Sequence, residues 1–148
     1  MRLPVVRRAV VERAYMSAPD GIQPPAVHHL AIVARDLDLA EAFYCGVLGL
    51  PVMKRWDDEE SPRSVWLALG GGAFLAVERA AAGGPKRVDA APGWHCVALT
   101  ISVGARAAWR ARLVEARVAI ERESPFSIYM RDPEGNLVAL SHWPDAVG

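Results

Sequence analysis

The sequence predicts an α+β fold in which two βαβββ modules pair into a curved mixed sheet that forms a ligand cup. Three observations predict it. The chain has 148 residues with 52% hydrophobic and 23% charged content, enough to bury a core and ordinary for a globular protein. Its apolar patterns run strand, helix, strand, strand, strand, and then restart. The two runs align with each other as an internal repeat.

Residues 1–25 read as an N-terminal arm and linker. Arg2, Arg7, Arg8 and Arg13 punctuate the first stretch, which lacks the apolar segment of a signal peptide. Pro19, Gly21, Pro24 and Pro25 then break regular structure. The domain itself is expected over residues 26–145, with modules near 27–79 and 94–143.

Val27 to Ala34 (VHHLAIVA) reads as the first strand. Asp36 or Asp38 caps the following helix, whose apolar stripe is Leu39, Phe43 and Val47. Gly49 stands where a helix-closing glycine belongs. Strands follow at Pro51–Trp56, Ser64–Leu69 and Ala73–Glu78, separated by the acidic stretch Asp57 to Glu60 and by Gly70-Gly71-Gly72. Ala80 to Gly93 is rich in Ala, Gly and Pro and reads as a linker. The second run is a strand at Trp94–Ser102, then a helix with Ala105, Ala108, Trp109, Leu113 and Ala116 on one stripe. Strands at Val118–Glu121, Phe126–Arg131 and Asn136–His142 complete it, with turn chemistry at Asp132-Pro133-Glu134-Gly135.

His29 and His95 stand 95 − 29 = 66 residues apart. At that offset HLAIVARDLDLAEAF falls on HCVALTISVGARAAW, and Phe43 lands on Trp109. Later the offset becomes 63, so that GAFLAVE from Gly72 falls on GNLVALS from Gly135 and Ala76 pairs with Ala139. Each unit then makes a four-stranded sheet with a helix on one face. The other face is expected to be shared with the partner unit, closing a cup.

Three segments in this order carry a resemblance to a known family: HLAIVARDLDLAEAFYCGVLGL (His29 to Leu50), GWHCVALTI (Gly93 to Ile101) and YMRDPEGNLVAL (Tyr129 to Leu140). They resemble the opening, mid-chain and closing signatures of the vicinal-oxygen-chelate superfamily. That superfamily contains glyoxalase I, bleomycin-resistance proteins and extradiol dioxygenases. The resemblance covers Val27 to Trp143.

The resemblance implies a cup that, in metal-dependent members, holds one divalent ion such as zinc, nickel, manganese or iron. Ligands then come from the first and last strands of each module. The first-strand positions are His29 and His95; the last-strand positions, usually carboxylates, fall on Ala76 and Ala139. Glu78 is the substitute carboxylate, on the same strand face as Ala76 and two residues further on. It is the candidate third ligand or general base. His28 should point to the other face from His29, and His142 joins a site only if its strand ends or twists there. A lone strand histidine is ordinarily structural, and tryptophans ordinarily pack in cores.

Two functions follow. One is a metal-dependent lyase or dioxygenase acting on a substrate with vicinal oxygens, with His29, His95 and Glu78 as metal ligands and Glu78 as catalytic base. The other is a metal-free protein that binds or sequesters a small organic molecule, favoured by the enlarged, apolar cup that Ala31, Ala76 and Ala139 would leave. A scaffold or regulatory domain with a vestigial cup is a third reading. A balance of 17 basic and 17 acidic residues offers no electrostatic reason for nucleic-acid or membrane partners. Cys45 and Cys96 read as reduced core thiols, which fits a cytoplasmic protein. The resemblance makes a homodimer plausible.

Overall fold

The structure is a computed structural model of the chain and describes residues 23, 25–59, 61–81, 87, 89–90 and 92–146. Apart from residues 23 and 25, the expected N-terminal arm lies outside the described residues, as do half of the linker between modules and Glu60.

The first module runs β1 (His29–Ala34), α1 (Leu37–Glu41) continued by a π-helical stretch (Ala42–Val47), β2 (Val52–Asp57), β3 (Pro62–Gly70) and β4 (Ala73–Arg79). The second runs β5 (Cys96–Thr100), a 3₁₀ turn (Val103–Ala105), α2 (Arg106–Glu115), β6 (Ile120–Glu123), β7 (Ser127–Arg131) and β8 (Leu137–Ser141). The strand orders are β1-β4-β3-β2 and β5-β8-β7-β6. In each sheet the first strand pairs parallel with the last, and the other pairs are antiparallel. The two sheets are therefore copies of one topology.

Local chemistry explains the element ends. Asp36 caps α1, its Oδ1 accepting the Leu39 N–H at 3.0 Å. Gly49, at φ +74°, closes the helical stretch. The buried helical positions are Ala40, Phe43, Tyr44 and Leu48. Leu39, expected in the apolar stripe, is instead exposed, because the stripe facing the sheet centres on the four-residue step from Ala40 to Tyr44 to Leu48.

The sixth strand begins two residues later than expected. Arg117 takes φ 57° and its N–H reaches the Val114 carbonyl, while Val118 N–H reaches that of Leu113. This pair of bonds is a Schellman closure of α2, so residues 117 and 118 belong to the cap.

One core joins the modules. Val65, Leu67, Leu75 and Val77 of the first sheet cluster with Ile128, Met130, Val138 and Leu140 of the second. Phe43, Tyr44 and Leu113 from the helical segments lie in the same cluster. Polar contacts reinforce the joint: Tyr44 donates to Asp132 at 2.8 Å, and the Arg112 guanidinium donates to the carbonyls of Val47 and Gly46. The modules are thus paired through their helix-bearing faces. Their opposite faces remain open at the rims: Ala31, Ala98 and Thr100 are exposed, and Val33 is 61% exposed.

Candidate ligand face

Strand alternation and ladder register define the outward face of the first sheet. His29 lies opposite Phe74, Ala31 opposite Ala76 and Val33 opposite Glu78. Across the next ladder Ser64 lies opposite Glu78, Trp66 opposite Ala76 and Ala68 opposite Phe74. Lys54 and Trp56 complete the face on β2, opposite Trp66 and Ser64.

Aromatic rings form a row across all four strands. Trp56 meets Trp66 with centroids 5.4 Å apart, Trp66 stacks on Phe74 at 4.6 Å, and Phe74 stacks on His29 at 4.9 Å. Such diagonal and direct cross-strand pairs stabilise a sheet. The small pair Ala31 and Ala76 lies beside this row, with Ala76 only 3% exposed.

Two polar atoms of this face are orphaned. The Trp56 indole Nε1 and the Ser64 hydroxyl are buried without a hydrogen-bond partner among the described residues. They belong to directly opposed residues. An unmet buried polar group costs about 1–3 kcal/mol. The Lys54 ammonium lies 3.5 Å from the Trp56 ring centroid, a cation–π contact.

The outward face of the second sheet is plainer. Cys96 lies opposite Leu137, Ala98 opposite Ala139 and Thr100 opposite Ser141. Tyr129 lies opposite Ala139, so it points outward, with the Arg122 guanidinium 3.6 Å over its ring. Burial raises the Cys96 thiol above its ordinary range.

The register bears directly on the three residues singled out for a metal. Ala31 pairs with Ala76 and Ala98 with Ala139, so the first strands correspond at an offset of 98 − 31 = 67. At that offset Cys96, and not His95, matches His29. His95 precedes β5 and is exposed; a one-residue slip moves a side chain to the other face. Glu78 sits four residues along β4 from Phe74, the partner of His29, a distance of about 13 Å. His29, His95 and Glu78 are not brought together, and among the described residues no three His, Cys, Asp or Glu side chains form a metal-holding group. The donor set therefore does not fit the divalent ion that the resemblance implies.

The remaining histidines are accounted for. His28 precedes β1, so alternation does not bind it. Its ring comes to the His29 side, 5.2 Å away, with the two Nδ1 atoms 2.9 Å apart. One must donate and the other accept. β8 ends at Ser141, and His142 turns inward to 2% exposure. Its Nε2 meets the Arg106 guanidinium at 3.0 Å and its Nδ1 meets the Asp145 carbonyl at 2.6 Å. Arg106 can only donate, so Nε2 accepts and Nδ1 carries the proton. His142 is a structural residue.

Sequence reasoning passed over Trp56, Ser64, Trp66 and Phe74 as members of the first-sheet face, and Cys96 as a member of the second. Alternation in Ser64–Leu69 already separates Ser64, Trp66 and Ala68 from Val65, Leu67 and Leu69. The ladder partners that assemble the row carry no sequence mark.

Two surface concavities of about 450 and 420 Å³ lie elsewhere. The first is lined by Asp38, Glu41, Cys45 and Arg55, the second by Phe43, Arg117, Glu121 and Arg131. Neither includes the aromatic row. Among the described residues no helix is long and apolar enough to cross a membrane.

Known proteins agree with this architecture. No curated protein matches the sequence. The lactoylglutathione lyase of Agrobacterium tumefaciens is 26% identical, with a TM-score of 0.60 over 82% of this chain and 98% of that one. A glyoxalase/dioxygenase from Nostoc punctiforme is 19% identical, with a TM-score of 0.67 over 86% and 100%. A variant of the fosfomycin resistance protein FosX from Listeria monocytogenes, complexed with Mn(II) and 1S,2S-dihydroxypropylphosphonic acid, is 16% identical, with a TM-score of 0.64 over 80% and 93%. The profile of the glyoxalase, bleomycin resistance protein and dioxygenase superfamily matches residues 26–140. With two βαβββ modules of matching topology and that profile across most of its length, the chain belongs to the Glyoxalase/Bleomycin resistance protein/Dioxygenase superfamily.

Proposed function

We propose that this protein binds a small organic molecule without a metal ion, on the outward face of its first sheet. One observation carries the reading. The two positions that the resemblance assigns to carboxylates are Ala76 and Ala139, 3% and 1% exposed at the centres of their sheets, while aromatic rings occupy the surface beside Ala76. Alanine removes a donor and opens an apolar floor.

A homodimer completes the cup in this reading. Each chain spends its helix-bearing faces on its own core, so a sheet from a second copy is the cover for the open face. Burying such apolar surface favours association.

The metal-dependent reading retains one favourable observation. His29 is exposed on the outward face and among the described residues engages only its Nδ1, with His28, so it would be the first ligand of an ion. Glu78 would then act as third ligand or base only with donors from a second copy. Such an ion would supply Lewis acidity toward vicinal oxygens.

Metal analysis separates the two. Protein purified without chelator and then exposed anaerobically to zinc, nickel, manganese or ferrous iron is expected to hold fewer than about one ion per ten chains, since two scattered donors hold an ion poorly. Stoichiometric retention after gel filtration would overturn the metal-free reading.

A further inference from the structure

We infer that the ligand of the first-sheet face is an uncharged planar aromatic compound bearing a carbonyl oxygen at one edge. The inference rests on the metal-free reading above and names the chemistry that the face recognises.

The floor and its neighbours select an aromatic plane. Ala31 and Ala76 are directly opposed, and Trp66, which faces Ala76 across the next ladder, already stacks on Phe74 at 4.6 Å. A flat ring laid on the alanines meets the exposed edge of this row. Aromatic ligands gain by such offset contacts, which an aliphatic ring of the same size does not match.

The polar corner selects an acceptor. Trp56 Nε1 can only donate, and the Ser64 hydroxyl beside it is equally unpartnered among the described residues. A carbonyl has two lone pairs and takes both. Two cations lie over the Trp56 ring: Arg63 at 5.9 Å from its centroid, paired with Asp58 at 3.8 Å, and Lys54, held there by the ring face at 3.5 Å and exposed to solvent. An occupant that reaches the corner displaces its ammonium without breaking an ion pair among the described residues.

Glu78 decides the charge. It is the direct cross-strand partner of Ser64, is exposed and stands beside the same corner. A carboxylate ligand seated on Ser64 would meet it at close range, offsetting the attraction of Lys54. A neutral carbonyl does not. An N–H or O–H on the ligand gains from Glu78 as an acceptor.

A matched series tests this: coumarin, 2H-chromene (the same bicycle without the carbonyl) and coumarin-3-carboxylate. Binding to the full chain is followed by titration calorimetry and by the Trp56 indole proton in ¹H–¹⁵N spectra, assigned by its loss in Trp56→Phe. Coumarin is expected to bind and to shift that proton. 2H-chromene should bind about tenfold more weakly, the scale of one or two buried hydrogen bonds. Coumarin-3-carboxylate should also bind more weakly than coumarin and recover in Glu78→Gln. Ser64→Ala should cut coumarin affinity while leaving 2H-chromene unchanged. Lys54→Gln, which removes the ammonium that a seated ligand displaces from the Trp56 ring, should tighten coumarin binding. Equal binding of coumarin and 2H-chromene, tighter binding of the carboxylate, or an unmoved indole proton would overturn the assignment of an aromatic carbonyl. Those outcomes leave the metal-free reading standing, because that reading falls on stoichiometric metal retention. Failure of all three probes to bind overturns the ligand class alone.

Discussion

The phenol of Tyr44, in the helical stretch of the first module, donates to Oδ2 of Asp132, in the last turn of the second, at 2.8 Å and away from solvent. The same carboxylate accepts the backbone N–H groups of Glu134 and Asn136 at 2.9 and 2.7 Å and the Asn136 side-chain amide at 2.8 Å. One buried acid therefore organises the DPEGN turn and ties it to the other module. Tyr44→Phe is expected to lower stability by about 1–2 kcal/mol in urea titrations at neutral pH, the cost of leaving one buried acceptor bond unmade.

That contact also sets an alkaline limit. Burial, with the negative charge of Asp132 next, pushes the Tyr44 phenol far above its usual range. The folded chain keeps a proton that the unfolded chain loses near pH 10, so this stabilisation is complete below the unfolded value and is lost as pH rises beyond it. Stability should fall by up to about 1.4 kcal/mol per pH unit above that point. Unfolding curves of Tyr44→Phe between pH 9 and 11 should show a shallower slope.

The acid side has its own contact between modules. Glu134 accepts the Arg35 backbone N–H at 2.7 Å and its guanidinium at 2.9 Å. The backbone N–H, then burial opposing it, then the guanidinium, leave the carboxyl below its ordinary range. A depressed acid stabilises above its unfolded pKa and ceases to do so as pH falls through its folded one. Glu134→Gln should cost at most about 1 kcal/mol at pH 7, because half-exposed pairs are screened. The difference from the parent protein should shrink in thermal melts as pH falls below the ordinary glutamate range.

His142 is buried between Arg106 and the Asp145 carbonyl, while Arg106 also holds Glu123 and the Ser124 carbonyl. His142→Ala removes one bond to a charged group and opens a cavity. A loss of about 2–3 kcal/mol is expected by chemical denaturation. Metal content should not change, which separates this structural role from a ligand's.

Val33 stands 61% exposed on the rim of the first sheet. If a second copy covers that face, Val33→Asp places a charge in the interface while leaving the monomer core untouched. Sedimentation velocity should show the dimer weakened by at least tenfold, with an unaltered far-UV spectrum. A parent chain that sediments as a monomer at all concentrations would refute the closed cup.

Much of the fold was legible in particular residues. The eight strand segments, the Asp36 cap, Gly49 and the DPEG turn are local signals, since each depends on neighbours a few residues away. The ends of β6 were not, because the Schellman closure at Arg117 and Val118 consumes residues that alternate like a strand. The candidate face was half legible: Ala76 and Ala139 were identified from the repeat, but the partner of His29 was misplaced by one residue. A repeat aligned on identical letters chose His95, whereas hydrogen-bond register chose Cys96.

By itself the sequence determined the two-module architecture, the order of elements and the loss of a side-chain donor at positions 76 and 139, because patterning, turns and residue identity are properties of the linear chain. Tertiary structure decided which faces fuse into the core, which residues stand opposite one another, and that Trp56, Trp66, Phe74 and His29 form one row. Those facts depend on ladder register and packing between distant segments. A shift of one residue there leaves the composition unchanged and turns a side chain to the opposite face.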